Sequence, residues 1–119
     1  MKLKGISWVG VFAKDLESLT TFYSETVGLK LDSYRHDCAI FRVGESDCFE
    51  IWDKGIAVGR RKSASEQSMM IGFKVENLQE SVKELISKGL SPDGDIKDLN
   101  SVEWVHFIDP EGNRFELTS

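Results

Sequence analysis

The chain has 119 residues, of which 40% are hydrophobic and 29% charged, a balance that suits a single folded domain with a sizeable core and argues against disorder. A net charge of −5 with a pI near 5.0 disfavours nucleic acid and anionic membrane surfaces as partners. No stretch of about 18 apolar residues occurs and the start is not leader-like, so the expected compartment is the cytoplasm.

In chain order, residues 6–12 form an apolar, β-prone run, and Asp15 then offers a helix N-cap. Leu16, Leu19, Phe22, Tyr23 and Val27 recur at three- and four-residue steps, giving a helix with one apolar face, and Gly28 is a natural stop. Three short β-type segments follow, at residues 29–34, 39–43 and 47–52, separated by polar or glycine-containing turns. Cys38 and Cys48 fall on either side of the turn at residues 44–47, where they do not face each other, so two free thiols are expected. His36, in a polar turn, reads as solvated.

Residues 54–67 lack a period and carry Arg60, Arg61 and Lys62; such a basic cluster could bind an anion, but the expected reading is a solvated connection. The pattern then begins again. Residues 69–75 are β-type, and Asn77 with Glu80 has the form of a capping box. Leu78, Val82, Leu85 and Ile86 share a helical face that Gly89 closes. Residues 91–100 are only weakly strand-like. Last comes an aromatic and β-branched run at residues 103–108, then Asp109, Pro110 and Gly112 at the first, second and fourth places of a type I turn, then an alternating strand from Arg114 to Thr118.

The two halves superimpose by sequence position. Trp8 to Met70 and Asp15 to Asn77 are each 62 residues apart, Gly28 to Gly89 is 61 and Glu50 to Glu116 is 66, the excess falling in loops. The expected fold is therefore α+β, two repeated βαβββ modules in one domain over residues 1–119: module 1 at about 5–53, a linker at about 54–67 and module 2 at about 68–119. A helix covers only one face of each sheet. Alternation puts Trp8, Gly10, Glu50 and Trp52, and Met70, Gly72, Arg114 and Glu116, on the other. His106 shares that face if Val105 and Phe107 turn to the core, and Trp104 is a further candidate.

Two stretches carry a family resemblance: Asp15 to Tyr23 with Val27-Gly28-Leu29, and Asp109 to Leu117. In this order, joined by the internal repeat, they resemble the hallmarks of the vicinal oxygen chelate superfamily of glyoxalase, bleomycin-resistance and dioxygenase-like proteins. The resemblance implies a curved mixed sheet around a cavity and a homodimer, with the modules pairing within or between chains. In metal-dependent members the ligands come from the first and last strands of each module, places that fall here on Trp8, Glu50, Met70 and Glu116. The carboxylates are present, but an indole and a thioether replace the usual imidazoles, and neither suits a hard or borderline divalent ion. No metal or other cofactor is therefore expected.

What remains is a carboxylate pair framed by Trp8, Trp52 and Trp104, suited to holding a cationic or aromatic small molecule by charge, stacking and cation–π contact. The ligand-binding candidates are Trp8, Glu50, Trp52, Met70, Trp104, His106, Arg114 and Glu116. The alternative is a metal-dependent glyoxalase-like lyase or dioxygenase in which Glu50 and Glu116 are catalytic and His106 joins them on the ion. A third reading makes Trp8 and Met70 filling for a degenerate site, with Glu50 and Glu116 salt-bridged to Arg114 or Arg42.

Overall fold

A computed structural model describes residues 1–119. The chain forms two units, residues 1–56 and 57–119. In the first, β1 (Val9–Phe12), α1 (Leu16–Thr21), β2 (Lys30–Arg35), β3 (Cys38–Val43) and β4 (Asp47–Trp52) give a four-stranded sheet of order β1-β4-β3-β2. In the second, β5 (Ile71–Lys74), α2 (Leu78–Ser87), β6 (Lys97–Leu99), β7 (Val102–Ile108) and β8 (Arg114–Thr118) repeat that arrangement as β5-β8-β7-β6. In each unit the first and last strands run parallel and the other neighbours antiparallel. The repeat read from the sequence is thus a repeat of topology.

The helices begin and end where their caps dictate. The Asp15 carboxylate accepts from the Ser18 backbone N–H at 3.1 Å and from its hydroxyl at 2.9 Å, and the Asn77 side chain accepts from the Glu80 N–H at 3.0 Å. Beyond Thr21, α1 widens into a π-helical turn, Phe22–Val27, which the 3.6-residue reading did not foresee. It ends on Gly28 in the left-handed region at φ 91°. The turn buries both Phe22 and Tyr23, which meet edge to face at 5.1 Å, and Tyr23 reaches Phe49 at 5.1 Å.

Period-two alternation sorts the sheets. Phe41, Phe49 and Ile51 are buried with Leu16 and Leu19 in the first unit; Phe73, Val105, Phe107, Phe115 and Leu117 are buried with Leu78, Val82 and Leu85 in the second. Ile86 is half exposed, contrary to expectation. At 100° per residue it lies about 80° from Leu78, outside the stripe that Leu78, Val82 and Leu85 define. The first strand also starts later than its apolar run: residues 1–8 have no regular structure and β1 begins at Val9, the first residue in register with β4.

Two stretches of the second unit are better built than the sequence suggests. In the β7–β8 turn the Gly112 N–H donates to the Asp109 carbonyl at 3.0 Å, and the buried Asp109 carboxylate accepts from the Glu111 and Asn113 backbone N–H groups at 2.9 Å and from the Asn113 amide at 2.8 Å. The segment after residue 57 is largely exposed, as expected of a solvated connection, but it is anchored to the second unit at Lys62 and Gln67. Lys62 is buried, with its N–H on the Gly112 carbonyl at 2.8 Å and its ammonium on Asn113 Oδ1 at 2.7 Å. Gln67 exchanges two 2.7 Å hydrogen bonds with the Arg114 backbone, as a paired strand residue would. The loop follows these partners because the backbone groups of the turn and of Arg114 need acceptors and donors that no strand supplies.

Candidate functional site

In the first unit the sheet face away from the helix carries Glu50 at its centre. Gly10 lies beside it in register on β1, and the Trp8 ring lies over that glycine, 3.3 Å from where a Cβ would stand. Trp52, two residues along β4, donates its indole N–H to Glu50 Oε2 at 2.7 Å. The Cys48 thiol is 3.8 Å from Oε1, and burial first, then the Glu50 charge, pushes that thiol above its ordinary pKa. Arg35 lies over the Trp52 ring at 5.9 Å and touches the Cys38 sulfur at 3.7 Å. Alternation placed Trp8, Glu50 and Trp52 on one face; Arg35 escaped it because the bulge between Leu31 and Ser33 changes which side chains of β2 face that way. Trp8 is 49% exposed, and both cysteines are free.

In the second unit Glu116 is paired with His106 across β7 and β8, and the imidazole Nε2 lies 3.1 Å from Glu116 Oε2. Val105 and Phe107 do point to the core, so His106 shares the open face as anticipated. Gly72 lies beside Glu116 on β5, where a Cβ would come within 3.3 Å of Oε1. Trp104 is half-buried on the same face, two residues along β7 from His106. Arg114 pairs with Asp93: its buried Nε is 3.0 Å from Asp93 Oδ2, an ion pair without hydrogen-bond alignment. Met70 precedes β5 and is 48% exposed.

The salt bridges of the third reading, from Glu50 and Glu116 to Arg42 or Arg114, do not form. Arg42 pairs with Asp32 at 3.6 Å and Arg114 with Asp93, while the two glutamates take an indole and an imidazole. His36 is exposed, as expected.

The residues fit a divalent ion poorly. Neither unit gathers three His, Cys, Asp or Glu side chains able to hold a metal. Glu50 has only a raised-pKa thiol beside it, Glu116 only His106, and Trp8 offers no lone pair for coordination.

Two βαβββ units, each with a glycine beside a glutamate on the open face of its sheet, define a paired-module class of protein. The chain belongs to the Glyoxalase/Bleomycin resistance protein/Dioxygenase superfamily, whose family model matches residues 5–117. No curated protein matches the sequence. Among solved structures, a glyoxalase family protein from Enterococcus faecalis is 25% identical, with all of both chains covered and a TM-score of 0.77. A lactoylglutathione lyase from Agrobacterium tumefaciens is 16% identical over 98% of this chain and 94% of its own, with a TM-score of 0.76. A fosfomycin resistance protein from Mesorhizobium loti is 18% identical over 99% and 93%, with a TM-score of 0.72. The last two likenesses are likenesses of fold.

Proposed function

We propose that this chain is a metal-independent small-molecule-binding protein of the glyoxalase/bleomycin-resistance type, taking a cationic or aromatic ligand. The observation that carries this reading is the half-buried Glu50 carboxylate, fixed by the Trp52 indole N–H, with the half-exposed Trp8 ring lying over Gly10, the register neighbour of Glu50. An oriented carboxylate next to an open aromatic surface favours a flat ligand with an N–H or cationic edge. Arg35 over Trp52 uses one aromatic face already, which leaves Trp8 as the stacking surface. The homodimer belongs to the same proposal.

The test is a calorimetric and tryptophan-fluorescence titration with a panel of cationic and neutral aromatic compounds, followed by mass analysis of the recovered ligand. Glu50→Gln is expected to weaken a cationic ligand about tenfold, the size of one charge-assisted hydrogen bond. Equal affinity in the variant overturns the charge recognition, and a chemically altered ligand overturns the binding-only role.

A second reading, a metal-dependent glyoxalase-like lyase or dioxygenase using Glu50 and Glu116, draws support from the nearness of His106 to Glu116. It requires stoichiometric metal that is lost in Glu50→Gln or Glu116→Gln.

A further inference from the structure

The second unit holds a hollow of about 320 Å³ whose charged lining is wholly basic: Arg61, Lys62 and Arg114 border it and no carboxylate does. Behind it, Arg61 Nη1 and Arg114 Nε both lie 3.0 Å from one oxygen, Asp93 Oδ2. One carboxylate thus serves two guanidinium groups, and one positive charge is left over at that point. Asp93 engages a single nitrogen of each arginine, so the rest of both donor forks is not spent on it. The neighbouring cations are committed elsewhere, Arg60 to Glu66 at 2.7 and 3.2 Å and Lys62 to Asn113 at 2.7 Å.

The arrangement is fixed from several sides. Asp93 is held by its backbone N–H on the His106 carbonyl at 2.7 Å, and Arg114 by the two Gln67 hydrogen bonds. The remainder of the wall is mixed, with Ser63, Gln67 and Ser68 beside Ala64 and two methionines; Met69 and Met70, 77% and 48% exposed, are its large apolar side chains, left open to solvent beside the arginines. Thioethers adapt to varied shapes, which suits the body of a ligand whose head is read by charge.

We propose that this hollow is a binding site for a small oxyanion, a carboxylate or a phosphonyl group carried on a short apolar body, with Arg61 and Arg114 on the anion and Met69 and Met70 against the body. The site stands apart from the reading built on Glu50: its ligand is an anion and its residues all belong to the second unit.

The test uses the full chain labelled with methyl-¹³C methionine and titrated with phenylacetate, phenylphosphonate and, as the neutral control, benzyl alcohol. Saturable binding of at least one anion is expected, with the Met69 and Met70 methyl signals moving and the Met1 signal still. Arg61→Gln, at a half-exposed side chain whose loss leaves the core untouched, should weaken the anion about tenfold. Arg61→Lys should recover only part of that loss, because a point charge does not reproduce the fork. Anions binding no better than benzyl alcohol overturn the proposal, as do unmoved Met69 and Met70 signals or full affinity in Arg61→Gln.

Discussion

Glu66 shows how far a residue outside any strand or helix can be specified. Arg60 holds its carboxylate from one side and the Ser63 N–H and hydroxyl, each at 2.9 Å, from another, and these partners lower its pKa from 4.5 to about 2. Because the folded value is depressed, its contribution to stability is complete above about pH 4.5 and is lost as the pH falls toward 2. A carboxyl NMR titration should place the Glu66 midpoint near 2; a midpoint near 4.5 would show that the Arg60 and Ser63 contacts do not persist in solution. Cys48 shifts in the opposite sense, so at pH 8 it should react with a thiol reagent more slowly than a free cysteine, and Glu50→Gln should quicken it by removing a neighbouring charge. At this scale the sequence revealed faces but not partners. Alternation suffices to set Glu50, Trp52, His106 and Glu116 on open faces. It is silent on Arg61 and Asp93, which are 32 residues apart and joined only by the folded loop.

Among the elements, the two modules differ at equivalent places in ways that make them separable by mutation. Gly10 and Gly72 each adjoin a glutamate, but a Cβ at Gly10 meets the Glu50 backbone carbonyl, which cannot swing aside, whereas one at Gly72 meets the end of the Glu116 side chain, which can. Gly10→Ala should therefore cost about 1–3 kcal/mol in denaturant unfolding and Gly72→Ala clearly less. Asn77→Ala removes one cap bond and should cost about 1 kcal/mol, with helix signal lost at the start of α2. Caps, helices and the final hairpin were legible because each rests on bonds within a few residues. The π-helical turn was not, since its extra residue is accommodated by packing of Phe22 and Tyr23 rather than by a local signal. The weak strand β6 has three exposed residues and exists through its pairing with β7, which no periodicity announces.

For the whole molecule, the family assignment and the repeat agree, and no helix is long and apolar enough to cross a membrane. The donor set predicts that protein purified without chelator carries less than stoichiometric metal and that its thermal midpoint is unmoved by chelator. Full occupancy by Zn²⁺, Ni²⁺ or Fe²⁺ would favour the lyase or dioxygenase reading instead. The fold was readable because the same module is written twice; of the anion hollow only the basic cluster at residues 60–62 was, because a segment with no period, folded back on the final turn, brings Arg61 to Asp93 and Arg114.

The parallel pairing of first with last strand in each unit has a consequence for synthesis in the cell. Val9 is in register with Phe49, and Ile71 with Phe115, so neither sheet is complete until its closing strand has been made. The first unit can close once residue 52 has left the ribosome, while Phe73, Val105 and Phe107 wait for residues 114–118. Maturation is therefore staggered, and the nascent second half is the part that a chaperone would meet open.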